Sequence, residues 1–312
     1  MQIILETKDV VKRYNGLLAL DNVSLRIPEG CIFGLIGPNG AGKTTLINAI
    51  ISMTKIDSGE IMVFGQSLDT ADREFKAKLG VVPQEIALYD DLSVYQNLDF
   101  FGRLYGLRGI KLKENIKEAL EFVDLWERRN DSPKRFSGGM KRRLNIACAL
   151  VHRPELVIMD EPTVGIDPQS RNHILASIRR LNENGTTIVY TSHYMDEVEQ
   201  LCADIAILDH GRVIARGTKE QLADMVAVEE KLVMRLSGTS YTLLDCVKGV
   251  QGVKAAKLES NRLTVVSRIR INNINKIIDC VLDAGAIIEG INMERLTLGD
   301  VFLTLTGRSL RD

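Results

Sequence analysis

The sequence predicts two domains of different architecture, an α/β layered domain over residues 1–227 and a small α+β, ferredoxin-like domain over residues 228–312. Three observations predict it. Short aliphatic runs alternate with helical patterns through the first part. A glycine-rich phosphate loop joins one such run to a helix. After residue 231 the pattern restarts as strand, helix, strand, strand, helix, strand.

Residues 31–36, 156–159 and 187–191 are continuous apolar or β-branched runs bounded by turn residues or charges. That is the pattern of strands buried on both faces of a largely parallel sheet. Helical patterns at 43–51, 140–151 and 169–182 lie between or after them, and this alternation implies layered α/β architecture. Residues 92–126 are mostly helical in pattern with a break near 106–109, and read as a helical insertion spanning about 85–135. A last helix at 218–224 and a hinge at 226–231 close the first domain. Beyond it, strands at 232–236, 253–258, 263–267 and 287–291, with helices at 241–247, 274–282 and 298–305, follow the split βαβ order. Leu263, Val265, Ile287 and Ile291 are the expected apolar positions of that sheet.

Composition narrows the classes. At 312 residues the chain suits about two domains of roughly 100–200 residues each. It is 45% hydrophobic with 5% aromatics, so the core is expected to be aliphatic. A net charge of -1 weighs against a nucleic-acid partner. The five cysteines, Cys31, Cys148, Cys202, Cys246 and Cys280, are odd in number and form no CxxC pair. They are expected to be free thiols rather than a disulfide framework or a zinc site. The apolar run Ile3–Leu5 is too short for a signal peptide. No apolar stretch approaches the roughly 18 residues of a spanning helix, so any membrane role is expected to come through a partner.

Gly37-Pro38-Asn39-Gly40-Ala41-Gly42-Lys43-Thr44, followed by Thr45, fits G-x-x-x-x-G-K-[ST] between a strand and a helix. The glycines let successive backbone N–H groups converge on an anion, and the helix adds its positive end. Lys43 is expected on the β- and γ-phosphates and Thr44 on Mg²⁺. Residues 156–161 form an apolar strand ending in Asp160 and Glu161, at the sheet edge where ligands bind in open α/β folds. Asp160 is placed to hold Mg²⁺ and Glu161 to act as general base toward water. Ser137-Gly138-Gly139-Met140-Lys141 precedes a helix and makes a second anion-binding N-terminus. Lys141-Arg142-Arg143 reads as a solvated helix face, and His152, His173 and His210 as structural or exposed.

Phe136–Lys141 resembles the signature of ABC-type ATPases, usually Leu-Ser-Gly-Gly-Gln. Further marks stand in family order. Tyr14 sits where the family places an aromatic against adenine. Gln84 follows Val81-Val82-Pro83 as in the Q-loop, Gly165-Ile166-Asp167 matches the D-loop, and His193 follows Tyr190-Thr191-Ser192 as the switch histidine does. The resemblance covers residues 4–224, with Phe136 and Met140 departing from the usual Leu and Gln. The C-terminal segment, including 298–307, resembles the accessory domain of ATPase subunits in drug and polyketide exporters.

The resemblance implies an ATPase that uses ATP with Mg²⁺, the metal held by Thr44, Gln84 and Asp160. It implies that Lys43, Gln84, Glu161 and His193 are the catalytic set. In the family two such domains meet head to tail, so Ser137, Gly138, Gly139 and Asp167 would complete a site on a second copy or a homologous chain. The insertion would dock an integral-membrane permease, holding the chain at the cytoplasmic face of the membrane and coupling hydrolysis to export. The alternatives are an importer ATPase, or a non-transport relative acting on DNA or ribosomes.

Overall fold

The computed structural model describes residues 2–68, 73–226, 229–238, 243–268, 271–294 and 296–307. The chain divides into two compact units, one carrying Met1–Lys219 and Thr306–Asp312 and the other Glu220–Leu305. Part of the expected hinge, residues 227–228, and the first two residues of the helix expected at 241–247 lie outside the described residues.

The first unit opens with two long antiparallel strands, β1 (Ile3–Tyr14) and β2 (Leu17–Pro28). Then come β3 (Ile32–Ile36), α1 (Lys43–Ile50), β4 (Ser58–Val63), β5 (Gln66–Ser67), α2 (Arg73–Ala77) and β6 (Leu79–Val82). The insertion contributes α3 (Val94–Leu104) and α4 (Gly109–Phe122), and α5 (Gly138–Leu150) follows it. The chain continues through β7 (Leu156–Asp160), α6 (Pro168–Glu183), β8 (Thr187–Thr191), α7 (Met195–Leu201), β9 (Asp204–Asp209) and β10 (Arg212–Gly217).

Among the described residues the central sheet has the order β10-β9-β3-β8-β7-β6, parallel except for the β9–β10 hairpin. All five residues of each of β3, β7 and β8 are buried, as expected of strands covered on both faces. A second, antiparallel sheet, β2-β1-β4-β5, was not legible as strands. Its long strands break register repeatedly, and these bulges blur the two-residue alternation that marks a half-buried strand. One aliphatic core joins the two sheets through Leu46, Ile47, Ala49 and Ile50 of α1. That packing places the N-terminus of α1, and so the phosphate loop, at the carboxyl ends of the parallel strands.

In the insertion, a capping box of Ser93 and Gln96 starts α3. Buried Asn97 then bonds the backbone of Tyr89, Leu92 and Ser93, which fixes the loop ahead of the helix. The helices α3, α4 and α5 pack on one another.

The second unit contains α8 (Lys219–Val226, its first residue in the other unit), β11 (Glu229–Ser237), α9 (Leu243–Gly249), β12 (Val253–Glu259), β13 (Arg262–Arg268), α10 (Ile274–Asp283), β14 (Ile287–Glu294) and α11 (Leu298–Thr306). Its sheet order is β12-β13-β11-β14, antiparallel throughout, the topology of a split βαβ module. The core is Leu232, Met234, Leu236, Leu263 and Val265 from the sheet against Leu243, Val247, Ile277 and Val281 from α9 and α10. Ile287 and Ile291, expected to be buried, are instead 67% and 47% exposed. Over 287–291 the strand alternates, and both isoleucines fall on the face that does not carry the core, while Ile288 packs against it. The expectation of free thiols is also corrected, since Cys246 of α9 and Cys280 of α10 form a disulfide. The pair is 34 residues apart and becomes adjacent only when the two helices share one face of the sheet. Cys31, Cys148 and Cys202 are free.

Candidate active site

The phosphate loop is held open by its own lysine. Lys43, 6% exposed, donates to the carbonyls of Gly37 (2.7 Å) and Pro38 (3.1 Å). Burial lowers its pKa, opposed by the neighbouring charges of Glu161 and Asp160. Gly42 caps α1 with φ 107°, and a Cβ there would lie 2.5 Å from the Ala19 carbonyl. Only glycine meets both conditions. A cleft of about 400 Å³ runs over this loop and is lined by Tyr14, Asn39, Gly40, Ala41, Gly42, Lys43, Thr44, Thr45, Gln84, Glu161 and His193. Exposed His210 lines it as well, so that histidine is placed beside the site rather than away from it. Tyr14 is half-exposed; its hydroxyl donates to Thr54 (3.5 Å) and Lys12 lies 5.1 Å from its ring centroid.

The carboxylates stand at the end of β7. Thr191 of β8 donates to Asp160 Oδ1 (2.7 Å), and its oxygen accepts from the Glu161 N–H (2.9 Å). Burial raises the Asp160 pKa, with the Thr191 hydrogen bond acting against it. Glu161 is 5% exposed and has φ 48°, a left-handed conformation uncommon for a side chain of its size. Its Oε2 accepts from Gln84 Nε2 (3.0 Å), and its Oε1 contacts His193 Nε2. Three residues far apart in sequence thus meet beside the lysine.

Arg142 is a component the sequence reading missed. It is 4% exposed rather than solvated, and donates to the carbonyls of Pro83 (2.7 Å) and Gln84 (2.5 Å). The guanidinium fork fits two neighbouring carbonyls that a solvated lysine would not need. Arg143 likewise bonds inward, to the Val123 carbonyl (3.0 Å). A run of three basic residues carries no mark that separates a buried member from exposed ones.

Ser137, Gly138, Gly139 and Asp167 do not line the cleft over Lys43. They form a second cluster. Ser137 Oγ caps α5 by accepting from Met140 N–H (3.3 Å). Asp167 Oδ1 caps α6 by accepting from Ser170 N–H (2.9 Å), and hydrogen bonds to Ser170 lower its pKa. Gly139 lies against Ser170, where any Cβ would collide with the serine side chain. Ser137, Gly138 and Asp167 are exposed.

For Mg²⁺, the donors available are hard oxygens: the Thr44 hydroxyl, the Asp160 carboxylate and the Gln84 amide. Among the described residues no cluster of three or more His, Cys, Asp or Glu could hold a metal by itself. One carboxylate with two neutral oxygens suits an ion that completes its shell with phosphate oxygens and water.

A phosphate loop, an acidic strand end, a glutamine–glutamate–histidine cluster and a separate serine-glycine-glycine helix start define the ATP-binding cassette class of P-loop ATPase. The family model described as ABC transporter matches residues 20–164. The linearmycin resistance ATP-binding protein LnrL of Bacillus subtilis (strain 168) is 43% identical over 314 residues, 99% of this chain and 100% of that protein. The daunorubicin resistance ATP-binding protein DrrA2 of Streptomyces coeruleorubidus is 34% identical, over 95% of this chain and 92% of that one. A Nod factor export ATP-binding protein I of Cupriavidus pinatubonensis is 35% identical over 99% and 92%. Among solved structures, an ATP-binding subunit of an ABC transporter superposes with TM-score 0.66 at 30% identity, covering 71% of this chain and 92% of that one. A dimeric post-hydrolysis cassette bound to ADP and Pi does so with TM-score 0.63 at 28% identity, over 69% and 98%. This chain belongs to the ABC transporter ATP-binding proteins and is an ATP-hydrolysing transporter subunit. Among the described residues no helix is long and apolar enough to cross a membrane.

Proposed function

We propose that this chain drives export through a separate integral-membrane permease, acting at the cytoplasmic face as a dimer with itself or with a homologous chain. Relatives named for resistance and for export match along most of their length, which supports the direction. The observation that carries the reading is Glu161, held between Gln84 and His193 beside Lys43.

In this reading Lys43 and the N–H groups of residues 37–45 neutralise the ATP phosphates. Tyr14 offers its ring to adenine. Thr44, Gln84 and Asp160 would hold Mg²⁺, which supplies charge neutralisation at the phosphate oxygens. Glu161 takes the proton of the water that attacks the γ-phosphorus, while Gln84 and His193 set its orientation. The rest of catalysis is positioning and charge stabilisation. Ser137, Gly138, Gly139 and Asp167, which do not line their own chain's cleft, close the site of the second subunit. ATP then binds the pair together and hydrolysis releases it. A permease-docking role for the insertion is supported by half-exposed Ile86 and Tyr89, which follow Gln84 directly, and by the edge-on stacking of Tyr89 on Phe100 (4.8 Å between centroids).

Mixing tests the shared site. Lys43→Ala and Ser137→Arg are each expected to abolish hydrolysis. In a mixed dimer both lesions can fall in one composite site, leaving the other intact, so partial activity is expected to return. A monomer that hydrolyses ATP at a specific rate independent of concentration would refute the head-to-tail arrangement.

A further inference from the structure

On the far side of β8 from Asp160, a second carboxylate is buried. Glu197 of α7 is 3% exposed. Its Oε2 accepts from three hydroxyls: Thr163 (2.8 Å), Tyr190 (2.7 Å) and Ser192 (2.6 Å). All three donors are fully buried. Its Oε1 pairs with Arg171 Nε of α6 at 3.3 Å, without the alignment of a hydrogen bond. The Arg171 guanidinium also lies 3.9 Å over the Tyr194 ring.

The two-residue alternation of a strand explains the division of labour. Tyr190 and Ser192 turn toward Glu197. Thr191 and His193 turn the other way, toward Asp160 and Glu161. Thr163 adds the loop that leaves Glu161, and Arg171 adds α6, whose first turn is capped by Asp167 and whose Ser170 lies against Gly139. One carboxylate therefore ties together the end of β8 that leads into His193, the loop bearing Asp167 and the helix against the Ser137 cluster. A helix that needed only to pack could use leucine here. A buried carboxylate is tolerated only where hydrogen bonds and opposite charge replace its hydration, and here they fix four segments in register.

We propose that Glu197 is a positioning residue for hydrolysis: it anchors the Ser192–His193 segment and the loop from Thr163 to Asp167 to one point, so that His193 and Glu161 keep their mutual geometry and the Asp167 loop shifts only together with them. The proposal rests on the roles given above to Glu161 and His193.

The test is steady-state ATPase kinetics on the full chain, with ATP affinity measured separately. Glu197→Gln is expected to lower kcat by about 10–10²-fold, the scale of a sub-ångström to ångström misplacement. ATP affinity should stay within about twofold, because the phosphate loop is untouched. The same change made in a His193→Ala background should cost several-fold less than it does in the parent, since the share of the positioning that acts through His193 is already gone. Ser192→Ala and Tyr190→Phe each delete a single hydroxyl and carry the same cycle if Glu197→Gln fails to fold. Wild-type kcat in the folded variants would overturn the proposal, as would losses that multiply in full with His193→Ala. Glu161→Gln separates the two levels. Near-normal turnover there overturns the underlying site. Loss there with wild-type rates in Glu197→Gln overturns the anchor alone.

Discussion

The two units bury different things. Every charged side chain buried among the described residues, namely Lys43, Arg142, Asp160, Glu161 and Glu197, lies in the first unit. Among its described polar side chains the second buries only Ser267 and Asn273, and Asn273 donates to Ser267 (3.1 Å). Its stability comes from an aliphatic core and the Cys246–Cys280 link. Removing a charge from water costs several kcal/mol unless its partners compensate. A fold that needs only to hold together has no reason to accept that cost, and we propose from the contrast that phosphate chemistry belongs to the first unit and that the second takes no part in it.

The largest expected effect lies in the charged cluster. Glu161→Gln keeps size but loses basicity and one of the two acceptor oxygens. Hydrolysis should fall by about 10²–10⁴-fold, the usual worth of a general base, while ATP binding persists and traps a dimer on a sizing column. Near-normal turnover would break the comparison at its strongest point.

The disulfide tests the other side. Breaking it with Cys246→Ser releases a loop of 34 residues, which should cost the second unit roughly 3–4 kcal/mol under oxidising conditions. The unfolding transition of that unit should move, the ATPase rate should not, and reductant should erase the difference between variant and parent. A parallel loss of ATPase activity would tie the second unit to catalysis.

A half-buried histidine in the first unit gives a pH test. His152 stacks on Tyr105 at 3.6 Å, and its Nε2 lies 3.1 Å from the Leu79 carbonyl. Burial lowers its pKa to about 4. Between about 6.5 and 4 the unfolded chain therefore takes up a proton that the folded chain refuses, and stability falls as pH drops through that window. The loss is on the order of 2–3 kcal/mol. His152→Phe should flatten the acid limb of a denaturant series taken from pH 7 to pH 4; an unchanged limb would place its cause elsewhere.

Smaller effects sharpen the boundaries. Tyr14→Ala should weaken ATP binding by roughly 1–3 kcal/mol, as for other base–aromatic stacks, and Tyr14→Phe should be nearly silent in the same titration. Equal losses would point to the hydroxyl and its Thr54 contact. Smallest of all, a chain ending at residue 227 should bind ATP within about twofold of the full chain, as expected of an independent domain. Lost binding in a folded fragment would move the boundary.

Strand and helix positions in both units were legible wherever one period dominated. The runs at 156–160 and 187–191 are apolar because both faces are covered, and α10 carries its apolar residues on a single stripe. The phosphate loop, the acidic strand end and the Ser137 turn were legible because each is a contiguous segment whose chemistry depends on its own backbone. The bulged β1 and β2 were not, because register shifts blur their alternation, nor was the exposure of Ile287 and Ile291, because alternation alone does not say which face the helices will cover.

The sequence by itself determined the class of chemistry, since a loop that binds phosphate and a strand that ends in carboxylates are written in adjacent residues. Only the tertiary structure decided the partners. It turned Arg142 inward onto Gln84, set Glu161 between Gln84 and His193, gathered three hydroxyls on Glu197 and brought Cys246 to Cys280. The reason is physical: whether a polar side chain is solvated or buried depends on what covers it, and the covering residues here lie 32 to 77 positions away for Glu161 and 34 for the cysteines.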